Sequence, residues 1–269
     1  MSNGKLTFIG LGLYDEKDIS LKGLEEIKRS DKVYAEFYTA GLTGTNIEKI
    51  EKNTDKKIFV LSRDDTEKGK KVIDSALKEH VVFLTCGDPM TATTHVDLRL
   101  RAIKNGIKTK VIHGSSIVTA VPGLLGLQNY KFGRTTSLVF PEKNYFPTSP
   151  YDVIKDNKRM GLHTLVLLDI QTDNDRYMTA NEGLGLLLEM EEKKGNKIFE
   201  EGSIFCVVAQ AGSDKPVVAA GSFNDLIDKD FGAPLHTIVV PGKLHFMEVE
   251  ALIVLAQLPA YLGEKLQKI

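Results

Sequence analysis

The sequence predicts two α/β domains in tandem, residues 1–113 and 114–269. Three observations predict this. Short apolar runs alternate with longer amphipathic stretches along the chain, the pattern of βαβ units. The 269 residues exceed the usual size of one compact domain. Helix-start chemistry recurs between the apolar runs, as each alternation requires.

In the first domain, strands are expected at 6–9, 32–36, 57–61, 81–85 and 108–112. Thr45 with Glu48, and Asp64 with Glu67, have the spacing of capping boxes for the intervening helices. In the second domain, strands are expected at 136–140, 164–170, 204–209, 217–221 and 237–240. Ser149-Pro150-Tyr151-Asp152 reads as a helix start: a serine cap, a proline whose missing N–H costs nothing there, and a carboxylate at the positive helix end. Thr179 with Glu182 opens a helix reaching about Lys193. Residues 166–168 and 206–208 are apolar in succession, so both faces of those strands should be covered.

Lys and Arg number 35 against 36 Asp and Glu, a formal charge of −1. Such a balance gives no broad field for a nucleic-acid backbone, and no nucleic-acid partner is expected. Cys86 and Cys206 are far apart in apolar surroundings, which points to a reducing, cytoplasmic setting. The N-terminal stretch is too short in apolar residues for a signal peptide. The apolar segment 244–262 is interrupted by Glu248, Glu250 and Pro259, so it reads as a buried C-terminal helix and not a membrane span.

In parallel sheets, ligands bind at the carboxyl edge of the strands. Two strand ends have unusual composition. Ile9-Gly10-Leu11-Gly12-Leu13-Tyr14-Asp15 follows the first strand. It lacks the third glycine of the dinucleotide pattern, and an acid at position 15 would repel a pyrophosphate. From residues alone it is a tight turn or a ligand cradle, and a cationic ligand would suit Asp15 and Asp18. Thr85-Cys86-Gly87-Asp88-Pro89-Met90-Thr91 follows the fourth strand. Gly-Asp-Pro is common turn chemistry, and it equally lets backbone approach a ligand while Asp88 accepts from hydroxyls or an ammonium. No histidine partner is evident for Cys86, and no two of the six histidines stand three or four apart. Neither a thiol nucleophile nor a metal is expected.

These loops, with Asp18-Ile19-Ser20-Leu21-Lys22-Gly23 between them, resemble the tetrapyrrole-methylase superfamily and, within it, the methyltransferases of diphthamide biosynthesis. The resemblance continues through Ala35-Glu36-Phe37-Tyr38-Thr39, Ala92-Thr93-Thr94-His95, Tyr130-Lys131-Phe132-Gly133 and the run Phe146 to Ile154. Gly161-Leu162-His163-Thr164-Leu165, Met178-Thr179-Ala180-Asn181-Glu182 and Pro241-Gly242-Lys243-Leu244-His245 extend it over nearly the whole chain. It implies two α/β domains with S-adenosylmethionine in the cleft between them, and a homodimer.

The resemblance further implies methyl-donor contacts at Leu13, Asp88, Thr91, Ser116, Ile117, Leu168, Ala211 and His236. Without it, Thr91 and Ser116 read as helix caps, Leu13, Ile117, Leu168 and Ala211 as core, and His236 as structural. Cys86 and Ser115 stand where that family usually has proline, a change in loop stiffness. The implied acceptor is the amino group of a 3-amino-3-carboxypropyl-histidine on elongation factor 2, methylated repeatedly, with no general base assigned. Tyr14, Tyr38 and Tyr145 are candidates to favour the final cation with a ring face, or are ordinary packing. The competing readings are a superfamily methylase for a tetrapyrrole or RNA, and a sensor that binds nucleotide without turnover.

Overall fold

Strand β1 (Lys5–Gly10) is buried at every position after the first, as a central strand covered on both faces must be. The computed structural model describes residues 4–37, 41–143, 145–200 and 202–267. After β1 come α1 (Leu21–Arg29), β2 (Lys32–Glu36), α2 (Ile47–Thr54), β3 (Ile58–Val60), α3 (Arg63–Lys68), α4 (Lys70–Ala76), β4 (His80–Thr85), α5 (His95–Lys104) and β5 (Lys108–Ile112). The strands form one sheet in the order β3-β2-β4-β1-β5, with every pair parallel. Alternate residues serve opposite faces: Leu6, Phe8, Val81 and Phe83 enter one apolar cluster, while Ile9, Val82 and Leu84 enter another.

Two expected caps shift by one or two residues. Helix α2 is capped by Asn46, whose Oδ1 accepts from Lys49 N at 3.0 Å, not by Thr45. Helix α3 is capped by Ser62, and Asp64 lies in its first turn facing Lys68 at 2.7 Å. In each case a neighbouring Asn or Ser takes the cap position in extended backbone. At the amino end of the sheet, Glu26 of α1 lies among Lys5, Lys110 (2.6 Å) and His80 (3.3 Å). Burial alone would raise its pKa; the two lysines outweigh that and bring it down to about 2.

The chain continues with α6 (Ile117–Leu125), β6 (Thr136–Ser137), α7 (Ser149–Arg159), β7 (Thr164–Leu167), β8 (Ile170–Gln171), β9 (Arg176–Tyr177), α8 (Ala180–Lys194), β10 (Phe205–Ala209), β11 (Val217–Gly221), α9 (Phe223–Leu226), β12 (His236–Val240), α10 (Phe246–Ala256) and α11 (Ala260–Gln267). Two compact units result, Met1–Ile117 with Ile170–Arg176, and Val118–Asp169 with Tyr177–Ile269. The division falls four residues beyond the expected join, and a short hairpin groups with the first unit.

The second sheet has the order β11-β10-β12-β7-β6 and departs from the βαβ expectation. Only β6 and β7 are parallel; the other three pairs are antiparallel. The seven residues 210–216 between β10 and β11 are too few for a crossover, so the chain turns straight back. The strand expected at 136–140 shrinks to Thr136–Ser137, and the one at 164–170 ends at Leu167. Thr179 and Glu182 do form a reciprocal capping box. Helix α7 starts at Ser149 itself, one residue earlier than a serine cap requires, and Thr148 takes the cap position. The expected single C-terminal helix is two, because Gln257 turns left-handed and Pro259 follows. Nor is it wholly buried: Phe246, Met247, Val254 and Leu255 of α10 are exposed.

Candidate functional site

Five of the eight candidates lie at the carboxyl edge of the first sheet, on the loops that follow the adjacent strands β4, β1 and β5. Backbone bonds stitch these loops together. Leu11 N donates to Thr85 O at 2.9 Å, and Gly12 and Gly87 exchange hydrogen bonds at 3.3 and 2.7 Å. Glycine is required at the junction: a Cβ on Gly10 would stand 2.3 Å from Gly87 O and 2.7 Å from Gly114 N.

The β1 loop is held by Asp18, whose Oδ2 accepts from Leu13 N at 2.9 Å and Tyr14 N at 2.8 Å. Gly12 has φ +83°, and a Cβ there would fall 2.2 Å from the Asp18 Cβ. Asp15 accepts from Lys17 N at 2.8 Å. Both acids offered as partners for a cationic ligand therefore build their own turn. Leu13 is half-buried beside them.

The β4 loop is organised by Asp88. Its Oδ1 accepts from Met90 N at 2.9 Å and Thr91 Oγ1 at 3.2 Å, and its Oδ2 lies 2.7 Å from His113 Nδ1. Thr91 is exposed and caps no helix; α5 begins four residues later, after Thr94. Ser116 is buried immediately before α6, and Ile117 is the first residue of that helix, half-buried.

Beneath this loop lies a pair that sequence reasoning left unassigned. His95 and Glu36 are 2% and 1% exposed. His95 Nδ1 reaches Pro89 O at 3.3 Å, so that nitrogen carries the proton, while Nε2 stands 3.5 Å from Glu36 Oε1. Thr85 Oγ1 donates to the same Glu36 oxygen at 3.0 Å. Burial pulls the His95 pKa down, against the Glu36 charge that raises it. The pair thus supports the Pro89 carbonyl from below. Burial, then the Glu36 charge, pushes the Cys86 thiol far above its ordinary range, leaving no thiolate for nucleophilic chemistry.

The remaining three candidates share one end of the second sheet. His236 opens β12 opposite Ala209 of β10, and Thr237 pairs with Leu167, so Leu168 extends to the level of His236. Ala211 lies two residues past β10, after Gln210 at φ +52°. Leu168 and Ala211 are buried, and Leu168 packs over Gly183, where a Cβ would meet its Cδ2 at 3.0 Å. The His236 ring is locked: Nδ1 accepts from Ala180 N at 3.1 Å, so the proton is on Nε2, which donates to Ala233 O (3.1 Å) or Gly232 O (3.2 Å). Burial lowers its pKa further, and the ring is neutral near pH 7.

The family described as Tetrapyrrole (Corrin/Porphyrin) Methylases matches residues 5–225. A diphthine synthase of Methanococcus vannielii is 57% identical over 248 residues, covering 92% of this chain and 97% of its own. The chain belongs to the diphthine synthase family of tetrapyrrole methylases. A diphthine synthase of Methanocaldococcus jannaschii is 58% identical over 250 residues, again 92% of this chain and 97% of its own. A crystal structure of diphthine synthase superposes with a TM-score of 0.86 at 40% identity, over 96% of this chain and 98% of that one. Family membership makes the protein an S-adenosylmethionine-dependent methyltransferase.

Of the residues now seen at this sheet edge, Glu36 and His95 lie in stretches already matched to the family, and His113 marked only the expected domain join. The pairing of Glu36 with His95, and of His113 with Asp88, spans 59 and 25 residues of sequence. No local spacing announces either.

Proposed function

We propose that this chain transfers methyl groups from S-adenosylmethionine to the amino group of the 3-amino-3-carboxypropyl-histidine of elongation factor 2, repeatedly, as a step of diphthamide biosynthesis. The observation that carries this is identity of 57% with a diphthine synthase over nearly the full length of both chains. The side chains present fit a sulfonium donor. At the end of the first sheet, Leu13, Asp88, Thr91, Ser116 and Ile117 offer backbone groups, hydroxyls and an apolar wall; at the end of the second sheet, Leu168 and Ala211 offer an apolar wall beside His236. No lysine or arginine is among them, and the His236 ring adds no positive charge.

When bound, the donor supplies an electrophilic methyl group. The protein's task is orientation and exclusion of water, which can remove on the order of 7–11 kcal/mol from a barrier. The acceptor amine shares its carbon with a free carboxylate, whose charge raises its pKa above about 7.7–8.0, the range of a chain-terminal α-amino group. Near pH 7 it is therefore mostly ammonium and must shed a proton to become a nucleophile. The side chain of Asp88 is engaged by its own loop and His113, so its backbone is the part free to meet the donor.

We place the enzyme in the cytoplasm as a homodimer. Two buried free cysteines and the apolar side chains exposed on α10 support those readings. Among the described residues, no helix is long and apolar enough to cross a membrane. Light scattering tests the dimer: a mass near twice that of one chain is expected, and a single-chain mass at micromolar concentration refutes it.

The function is tested with labelled donor and elongation factor 2, either unmodified or carrying the aminocarboxypropyl group. Label on the second alone is expected. Label on neither, with donor bound, would turn the reading into that of a sensor. Mass spectrometry of the modified peptide then counts the methyl groups.

A further inference from the structure

His113 stands at the end of β5, 74% exposed in its side chain, with its Nδ1 2.7 Å from the Asp88 carboxylate. A carboxylate only accepts, so Nδ1 is the donor, and in the neutral ring the lone pair is on Nε2. Asp88 is itself fixed, 8% exposed in its side chain and bonded through its other oxygen to Met90 N and Thr91 Oγ1. The result is an oriented imidazole with its basic nitrogen facing solvent, on the edge that carries Leu13, Asp88, Thr91, Ser116 and Ile117. We propose that His113 is the proton acceptor for the amine substrate, with Asp88 as its positioning residue. This rests on the methyltransferase reading above and extends it to the handling of protons.

The chemistry requires an acceptor of this kind. Most of an α-amine is ammonium at pH 7, and an ammonium has no lone pair. His113 Nε2 takes one N–H proton; the freed pair forms the N–C bond to the methyl carbon as the C–S pair leaves to sulfur. The nitrogen then again bears a positive charge and an N–H, which must be lost before the next transfer. Only the third transfer yields a nitrogen with no proton to give.

Asp88 is the charged group in contact with the ring among the described residues. On the neighbouring β1 loop, Asp18 is turned onto Leu13 N and Tyr14 N, and Asp15 onto Lys17 N. On the β4 loop, Thr91 adds only a hydroxyl, bonded to Asp88. Below that loop, the Glu36 and His95 pair is buried and directed to Thr85 and Pro89. None of these offers a second exposed base at this edge.

The size of the effect follows from the substrate. General bases typically contribute 10²–10⁴-fold, and here the unassisted route runs through the less than about a tenth of the amine that is neutral at pH 7. His113→Gln should therefore lower kcat/KM at least about tenfold at pH 7. The deficit should shrink as pH rises through the amine's own titration, where the amine becomes neutral without help. Products of limited turnover should shift toward the singly methylated peptide, because each retained ammonium stalls the next transfer.

Full-length wild type and His113→Gln are compared on aminocarboxypropylated elongation factor 2 from pH 6.5 to 9.5, with donor binding followed by calorimetry. Expected are equal donor affinity, a deficit that shrinks as pH rises, and accumulation of monomethyl product. A variant with the wild-type rate and pH profile, or with a deficit constant across pH, overturns the role of His113. A wild type that binds donor but labels no elongation factor brings down the function itself, and this inference with it.

Discussion

Glu248 accepts from four groups while almost wholly buried. Gln128 N (2.9 Å) and His163 Nε2 (3.0 Å) meet its Oε1; His245 N (2.8 Å) and Lys131 meet its Oε2. Burial would raise its pKa, but these donors bring it down to about 2. Glu248→Gln would set an NH₂ against two of the donors and leave Lys131 without its counter-charge. A loss of about 3–5 kcal/mol in urea unfolding is expected, as for other buried pairs deprived of one partner. From sequence, Glu248 was legible only as a charge that spoils a membrane span. His245 is a local partner, the cap three residues before it, whereas Gln128, Lys131 and His163 converge from 85 to 120 residues away and leave no local trace. A smaller effect is expected at Tyr14, whose ring packs where a Cβ on Gly44 would stand 2.3 Å from it. If its face favours the final cation, worth about 0.5–2 kcal/mol, Tyr14→Ala lowers the trimethyl fraction measured by mass spectrometry. An unchanged methyl distribution removes it from consideration. Tyr145 is exposed on a short hairpin, and Tyr38 lies outside the described residues.

At the scale of elements, the first sheet was legible chiefly because its inner strands β1 and β4 are buried on both faces and read as apolar runs. The second was less so. Its antiparallel pairing depends on a seven-residue return that composition does not distinguish from a loop before a helix. Caps moved by one or two residues where Ser, Thr, Asn and Asp stand together, since each can accept from the helix N–H groups. The edge where β1, β4 and β5 end depends instead on glycine. A Cβ on Gly114 would lie 2.5 Å from Gly87 O and 2.8 Å from Gly10 C, backbone atoms that cannot rotate away. Gly114→Ala should cost about 1–3 kcal/mol of overpacking strain, and it should weaken donor binding by prying these loops apart. Gly185 in α8 is the control: nothing lies within 4 Å of its Cβ position, and its backbone is helical. Gly185→Ala should stabilise by about 0.4–1 kcal/mol and leave donor affinity unchanged. Calorimetry and thermal melts of both variants check the pair, and equal behaviour of the two would refute the steric account.

For the molecule as a whole, buried titratable groups set how stability depends on pH. His95, His163 and His236 all have pKa values lowered, chiefly by burial. His163 and His236 each accept a backbone N–H at Nδ1, at 3.0 and 3.1 Å, which an imidazolium would forbid. The unfolded chain takes up these protons near pH 6.5 while the folded one does not, so stability is full above that value and falls as pH drops below it. Glu26 and Glu248 add a second stage. Their folded pKa values near 2 lie below the ordinary 4.5, so their contribution is complete above pH 4.5 and drains away as pH falls toward 2. Each titrating group adds at most about 1.4 kcal/mol per pH unit to the slope. The urea unfolding free energy should therefore be level above about pH 7, decline from about 6.5, and decline more steeply below 4.5. A curve level down to pH 4.5 would mean that the buried histidines bind protons equally in both states, contrary to their hydrogen bonds. In Glu248→Gln protein the lower limb should flatten while the limb beginning at 6.5 persists, separating the carboxylate stage from the histidine stage.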